Sequence, residues 1–475
     1  MDWFRDRSAL AADYLRQLDR YDEAPGFLRQ MFSSQQDWLS RFDPDEDDMV
    51  DHGVTEEMFG TNRYQELKNE IDHRGKGLAK QPTSKLVRER ETGSAKYAQE
   101  TGAHRTQMLD NFLPTYFRRV AARYRVRVYN GKFSNDGSLF ITASFDKNIR
   151  VYETNPHEDA EWNLVQRVPA PSFQWTITDT DVSPDKRSLV FSSLTPEVNY
   201  VELSEGSEAR TLDFTGLDNA GRGIYGLRYS NDGEEVIAGG SDGSIMVYNL
   251  HRDGLNVDIK GHYNDVNSVC FLDGIGDLLV SGSDDTLCKL WDRREFSSER
   301  PCAVFDGHAD GITHVSPKGD GRYFISNAKD HSIKLWDIRK CSSNTRDLGR
   351  RRRRSYYRYR SVVSPGLNPS NEVSVMTYTG HKVHDTLIRA NFSPLETTLQ
   401  KYIYTGSYEG TVYVYDVLTG KTVAEMAGHF QPVRDVSWHP NLPLLCSSGW
   451  DGMILLWGPK ITRVPGDPIY SDFTL

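Results

Sequence analysis

A ten-residue phrase recurs along this chain, and its recurrence constrains the fold more than any other feature. Ser283-Asp-Asp-Thr-Leu-Cys-Lys-Leu-Trp-Asp292 returns as Ala328-Lys-Asp-His-Ser-Ile-Lys-Leu-Trp-Asp337 and as Gly449-Trp-Asp-Gly-Met-Ile-Leu-Leu-Trp-Gly458. Weaker copies end at Glu153, Asn249 and Asp416, and a degenerate one from Ser193 to Glu202 completes a set of seven. The closing aromatic, or its stand-in, falls at Tyr152, Val201, Tyr248, Trp291, Trp336, Tyr415 and Trp457, in steps of 49, 47, 43, 45, 79 and 42 residues. Steps of roughly 40–45 residues are those of a four-stranded propeller blade. Period-2 runs such as Leu278-Leu-Val-Ser281, separated by turns such as Ser134-Asn-Asp-Gly137, supply the strands and hairpins a blade needs. The fold class is therefore all-β: a seven-bladed propeller over residues 111–460, with a helical and partly disordered extension at 1–110 and a tail at 461–475. One strand must come from outside the seven copies to close the ring. The candidates are the stretch around Phe117–Ala121 and Ile461–Val464, the first preferred because three prolines follow Gly458.

Each copy carries polar residues at fixed offsets. Six residues before the closing position stands a turn acid (Asp146, Asp242, Asp285, Asp330, Glu409, Asp451), with Thr195 the exception. Four residues earlier comes a hydroxyl in Thr142, Ser281, Ser326, Thr405 and Ser447, and Gly-His pairs end at His262, His308, His381 and His429. Polar groups at the edges of packed sheets must be satisfied. An imidazole can bridge a buried carboxylate and a strand hydroxyl while an indole N–H donates to that hydroxyl. The sets His262–Ser281–Asp285–Trp291, His308–Ser326–Asp330–Trp336 and His429–Ser447–Asp451–Trp457 are read in this way, and resemble the structural tetrad of WD-repeat proteins. A Ser–His–Asp catalytic triad is the competing reading. Recurrence in blade after blade rejects it, because an active site is not repeated with the scaffold.

Composition narrows the function classes. With 57 basic and 67 acidic residues the formal charge is −10, which argues against the whole chain being a nucleic-acid binder. No apolar run approaches the roughly 20 residues of a membrane helix, and the charged start lacks a secretory signal, so a soluble intracellular protein is expected. Five scattered cysteines without a Cys-x-x-Cys pair offer neither a zinc ribbon nor a disulfide framework. There is no phosphate loop and no His-Glu-x-x-His, so no catalytic residue, cofactor or metal is expected.

Two segments lie outside the repeats. In residues 1–42, Ala11, Tyr14, Leu15 and Leu18, then Phe27, Leu28, Met31 and Phe32, form apolar stripes on either side of Pro25-Gly26, which predicts a helical hairpin. It docks either on its own propeller or on a partner. Eight acids and no Lys or Arg follow between Asp43 and Glu57. The 79-residue step holds an insertion at about 341–375, assigned to the junction of blades five and six, with eight arginines from Arg346 to Arg360. Such a run is a solvated loop, a nuclear-import signal that would place the protein in nucleus as well as cytoplasm, or a contact for an acidic partner or single-stranded nucleic acid.

Blades four and five end in Trp291-Asp292-Arg-Arg294 and Trp336-Asp337-Ile-Arg339, the Trp-Asp-x-Arg box of cullin-4 ubiquitin-ligase receptors. With Ile325-Ser-Asn-Ala-Lys-Asp330, His384-Asp-Thr-Leu-Ile-Arg389, Val433-Arg-Asp-Val-Ser-Trp-His-Pro440 and Asn111-Phe-Leu-Pro114, they make the chain similar to the WD-repeat protein 23 family and the related plant embryogenesis-associated WD proteins over about residues 60–457. The resemblance implies a non-catalytic substrate receptor that docks on the ligase's triple-propeller adaptor and presents a protein for ubiquitination. In that picture Trp291, Asp292, Arg294, Trp336, Asp337 and Arg339 form the adaptor contact. The box arginines either pair with an acid of their own neighbouring blade, fixing the strand end, or present charge to the adaptor, and the two are compatible. The reading from another class is a free-standing scaffold for chromatin or RNA-associated partners; an enzymatic propeller ranks third.

Residues just before each turn acid and just inside each first strand should line one face of the ring. They are Phe145, Tyr225, Asp265, Asn267, Asp284, Lys329, Tyr408, Arg434 and Trp450. Tyr225, Tyr408, Arg434 and Trp450 rank first as substrate anchors, because aromatic and Arg side chains dominate protein interfaces.

Overall fold

In a computed structural model, residues 113–154, 162–170, 176–204, 209–216, 222–298, 300–341 and 373–459 are described. They form seven four-stranded antiparallel sheets. The first blade sets the pattern with Val128–Phe133, Leu139–Ser144, Asn148–Glu153 and Asn163–Pro169 in that order from the axis outward. The innermost strands of the other blades are Asp179–Val182, Ile224–Tyr229, Val266–Phe271, Ile312–Pro317, Ala390–Phe392 and Val433–Trp438. Inner strands are covered on both faces and read as buried throughout, as Val266–Phe271 does. The outer strand Thr422–Ala427, by contrast, is largely exposed and carries Thr422 and Glu425 on its surface.

The degenerate second copy is a full blade in which Val201 replaces the aromatic and is fully buried. Its place shows what the closing residue does. Seven apolar clusters lie one between each pair of neighbouring blades, and in every one the closing residue of the later blade packs on the earlier. Trp291 joins Ile237 and Ile245, Trp336 joins Cys288 and Leu290, and Tyr152 joins Cys446 and Leu456. Valine meets the apolar requirement of that position, so the blade survives the loss of its aromatic.

The ring is closed by Tyr116–Arg123, which pairs antiparallel with Met453–Gly458 as the outer strand of the seventh blade; Phe117 stands opposite Trp457. This is the earlier of the two candidate segments. The basic insertion is placed differently from the sequence expectation. Met376–Thr379 is the outer strand of blade five, paired with Ser332–Asp337, so the insertion interrupts blade five between its third and fourth strands and does not separate blades five and six. The reason is simple: the closing Trp ends the third strand, so a long step after it must still contain the fourth. Residues 1–42, the acidic stretch and Arg346–Arg360 lie outside the described residues.

An innermost strand turns backbone N–H groups toward the axis, where no further strand can accept them. Side chains of the preceding blade do so. Asp435 accepts from Gly131 N, Ser437 from Phe133 N, Asp179 from Leu227 N and Ser268 from Val315 N. The same carboxylates anchor ion pairs across the channel. Arg389 donates to Asp435 at 3.1 Å and to Asp179 at 2.6 Å, and Arg228 reaches the other Asp179 oxygen at 2.7 Å. Burial works to raise the Asp179 pKa, but Arg228 and Arg389 outweigh it and hold the carboxyl below the usual range. Removing one partner of a buried pair leaves uncompensated charge, which costs about 3–5 kcal/mol. Asp179→Asn should therefore lower the thermal midpoint markedly; an unchanged melt would show that the channel pairs do not hold the ring.

Candidate functional site: the two faces of the ring

Because the strands of a blade alternate in direction, the turns between second and third strands and the links between blades open on one face. The turns between first and second and between third and fourth strands open on the other. The turn acids mark the first face, and the Trp-Asp-x-Arg boxes mark the second.

Three tetrads are complete. His262 Nδ1 lies 2.8 Å from Asp285, its Nε2 is 2.7 Å from Ser281 Oγ, and Trp291 Nε1 donates to that Oγ at 2.9 Å. His308 with Asp330, Ser326 and Trp336, and His429 with Asp451, Ser447 and Trp457, repeat the arrangement within 2.6–3.0 Å. Indole N–H can only donate, so the serine accepts from Trp and donates to Nε2, which leaves the imidazole proton on Nδ1 for the carboxylate. Burial pushes the His262 pKa down against the pull of Asp285, so the imidazole is neutral. Ser281 Oγ is buried and committed on both sides, which describes a clamp and not a nucleophile.

Blades one, three and six use different residues at this place. In blade one Tyr124 stands where the histidine would be, 3.1 Å from Thr142 Oγ1 and 2.6 Å from the Tyr152 hydroxyl. In blade three the buried Arg222 donates to Ser244 and Asp258. His381 of blade six does not meet Glu409, which pairs with Lys382; it contacts the Tyr415 hydroxyl and Asn327 of the blade before.

On the box face, Arg294 donates through Nε and Nη2 to Asp292 at 2.8 and 2.6 Å, and Arg339 donates to Asp337 at 3.0 Å. Each arginine thus pairs with the acid of its own box, which corrects the expectation of a neighbouring blade's acid, and still exposes 68% and 57% of its side chain. Trp291 and Trp336 are buried between blades and cannot touch an adaptor, which corrects their inclusion in the contact. Asp337 is also buried, held by Arg322 as well as Arg339, and acts as an orienting partner. Asp292 is half-buried and orients Arg294.

On the turn-acid face, Phe145 is exposed, while Tyr225, Asp265, Lys329, Tyr408 and Trp450 are half-buried and accessible. Trp450 packs beneath Arg127, 4.5 Å above its ring, and beside Tyr129. Arg434 is corrected: it is buried and turns into the channel, bonding Asn130 at 3.2 Å and the Thr178 carbonyl at 2.9 Å. Burial, then Arg389, lowers its pKa to about 10. Asn267 and Asp284 are likewise buried, below the rim formed by Asp265 and Tyr225. Sequence reasoning missed Arg127 and Tyr129, whose place at the start of blade one was a signal, and Arg389, which faces Asp179 across the channel.

These features define a seven-bladed WD-repeat propeller without relying on any relative. The WD domain, G-beta repeat family matches residues 125–153, 213–249, 255–292, 299–337 and 420–458, and passes over most of the degenerate second blade and residues 338–419, which hold the insertion and most of blade six. The chain is 43% identical over 391 residues to the LEC14B protein of Lithospermum erythrorhizon, covering 79% of this chain and 82% of that one. It is 40% identical over 439 residues to the LEC14B homolog of Prunus armeniaca, covering 88% and 89%. It is 34% identical over 368 residues to the DDB1- and CUL4-associated factor 11 homolog of Caenorhabditis elegans, covering 74% and 64%. The chain belongs to this family of WD-repeat proteins.

The tetrads make an acid-sensitive prediction. Burial works to raise the Asp330 pKa, but His308, Ser332 and the Ala309 N–H hold it below the ordinary carboxylate value. A depressed carboxyl contributes stability above its unfolded pKa near 4, and loses it as pH falls toward the folded value. Asp330→Ala should cost about 1–3 kcal/mol at neutral pH by leaving His308 and the Ala309 N–H unsatisfied. The difference from wild type should shrink between about pH 4 and pH 2. Equal denaturant midpoints at pH 7 would contradict the clamp.

Proposed function

We propose that this chain is the non-catalytic substrate-recognition subunit of a cullin-4 RING ubiquitin ligase. The box face docks on the triple-propeller adaptor, and a protein substrate is held on the turn-acid face. The observation that carries the reading is the pair of box arginines. They follow the third strands of adjacent blades, so they open on one side of the ring, and each is pre-ordered by its own aspartate while remaining mostly exposed. A cation fixed in this way loses little entropy on meeting an acidic partner surface. The names of relatives in two Caenorhabditis species, each a DDB1- and CUL4-associated factor 11 homolog, support the same partner. The chain itself needs no cofactor, metal or small-molecule substrate for this task. It raises the effective concentration of a substrate lysine at a charged conjugating enzyme, and the bond-making belongs to that enzyme.

Tagged protein purified from cells should bring down the adaptor and the cullin in stoichiometric amounts. Arg294→Glu combined with Arg339→Glu should weaken adaptor capture more than either change alone, and should do so more at low salt. Circular dichroism should be unchanged and melting lowered only modestly, since Arg322 still pairs with the buried Asp337. A folded double variant that retains wild-type affinity would overturn this docking mode. Absence of the adaptor from the purified complex would favour a free-standing scaffold.

A further inference from the structure

The turn-acid face is unevenly charged where blades three, four and five meet. Asp284 lies buried at the centre of this region. Lys329 Nζ donates to both of its oxygens at 2.7 and 2.8 Å, and Asn267 Nδ2 donates to Oδ1 at 2.6 Å. Gly311 presses so closely that a Cβ there would stand 2.4 Å from Asp284 Oδ1, so only glycine leaves the recess its shape. Asp310 acts on Asp284 from the blade-five side. Asp265 stands at the rim, its backbone carbonyl accepting from Asp284 N, with the Tyr225 hydroxyl against its carboxyl. Asp284 thus holds the Lys329 ammonium, which also acts on Asp265, while Asp310 acts on Asp284.

A second observation points the same way. Asn267 is 3% exposed, and its Nδ2 donates both to Asp284 and to the Ile312 carbonyl at 2.7 Å, which fixes the amide's orientation. Its carbonyl oxygen is left buried with no donor at all. An acceptor so placed is costly to leave unmet. Burial, then Asp284, pushes the Asp265 carboxyl up to about 6 despite Lys329 and Tyr225. Among the described residues no group of His, Cys, Asp and Glu is disposed to hold a metal ion. Lys329 demonstrates that an ammonium fits against Asp284.

We infer that this recess, rimmed by Asp265 and Tyr225 above Asn267 and Asp284, binds a basic side chain of the protein substrate. The inference rests on the receptor reading only in calling the ligand a substrate; the binding itself can be measured on the isolated chain. The probe is a fluorescein-labelled Gly-Arg-Gly-Arg-Gly peptide, compared by anisotropy with its citrulline analogue, which keeps the shape and removes the charge. The arginine peptide should bind and the citrulline peptide should not. Asp265→Asn removes a rim charge and should weaken binding about tenfold, the scale of one hydrogen bond to a charged group. Lys329→Met removes the resident competitor and should tighten it, an effect a purely structural role would not give. Asp185→Asn, an exposed acid on the opposite face, should change nothing. Equal binding of the two peptides, no binding of either, or equal losses in the Asp265 and Asp185 variants would overturn the proposal. Failure of adaptor capture with peptide binding intact would overturn the receptor reading and leave this site standing.

Discussion

Ring closure is the constraint from which the other features follow. Tyr116–Arg123 leaves the start of the propeller and completes its last sheet against Met453–Gly458, so the first and seventh blades share an interface like the other six. Closure of this kind shields the inner edge of every blade. It also creates a narrow axis lined by inner strands whose N–H groups must be met by side chains. Asp179, Asp435, Ser268 and Ser437 meet them, and the arginines that neutralise the acids tie blades together across the channel. The closing residue of every blade then fills the gap to its predecessor, and Trp, Tyr and Val all do so.

That distinction explains what could be read from the sequence. The blades, the tetrads and the earlier closing segment were legible, because each depends on residues at fixed short offsets and on local strand and turn chemistry. Ser281, Asp285 and Trp291 lie within eleven positions of one another, and the same offsets recur for Ser326 and Ser447. The channel was not legible. Arg389 and Asp179 are 210 residues apart, and nothing local says that they meet. Arg434 was misread for the same reason: its position marks a face of the ring, but its direction is set by Asn130 and Thr178, blades away in sequence. Trp291 and Trp336 belong to the box as a motif but to the core as side chains. The insertion was assigned to the wrong boundary because the repeat phrase ends with the third strand, one strand short of the blade.

The two faces divide the work by chemistry. Exposed, pre-ordered arginines stand on the box face. The turn-acid face has a cationic and aromatic side at Arg127, Tyr129, Phe145 and Trp450, and an acidic recess around Asp284. A peptide lying across such a face would be oriented by its own charge pattern, since complementary fields fix register more than they add affinity.

Hydrogen–deuterium exchange on the full chain, with and without the purified adaptor, tests this division most directly. The account predicts new protection on the box face, at Asp292–Phe296 and Ile338–Lys340. The second-to-third-strand turns at Ser283–Thr286, Lys329–His331 and Tyr408–Gly410 should be unchanged. Protection at those turns, with the box segments unaffected, would contradict it.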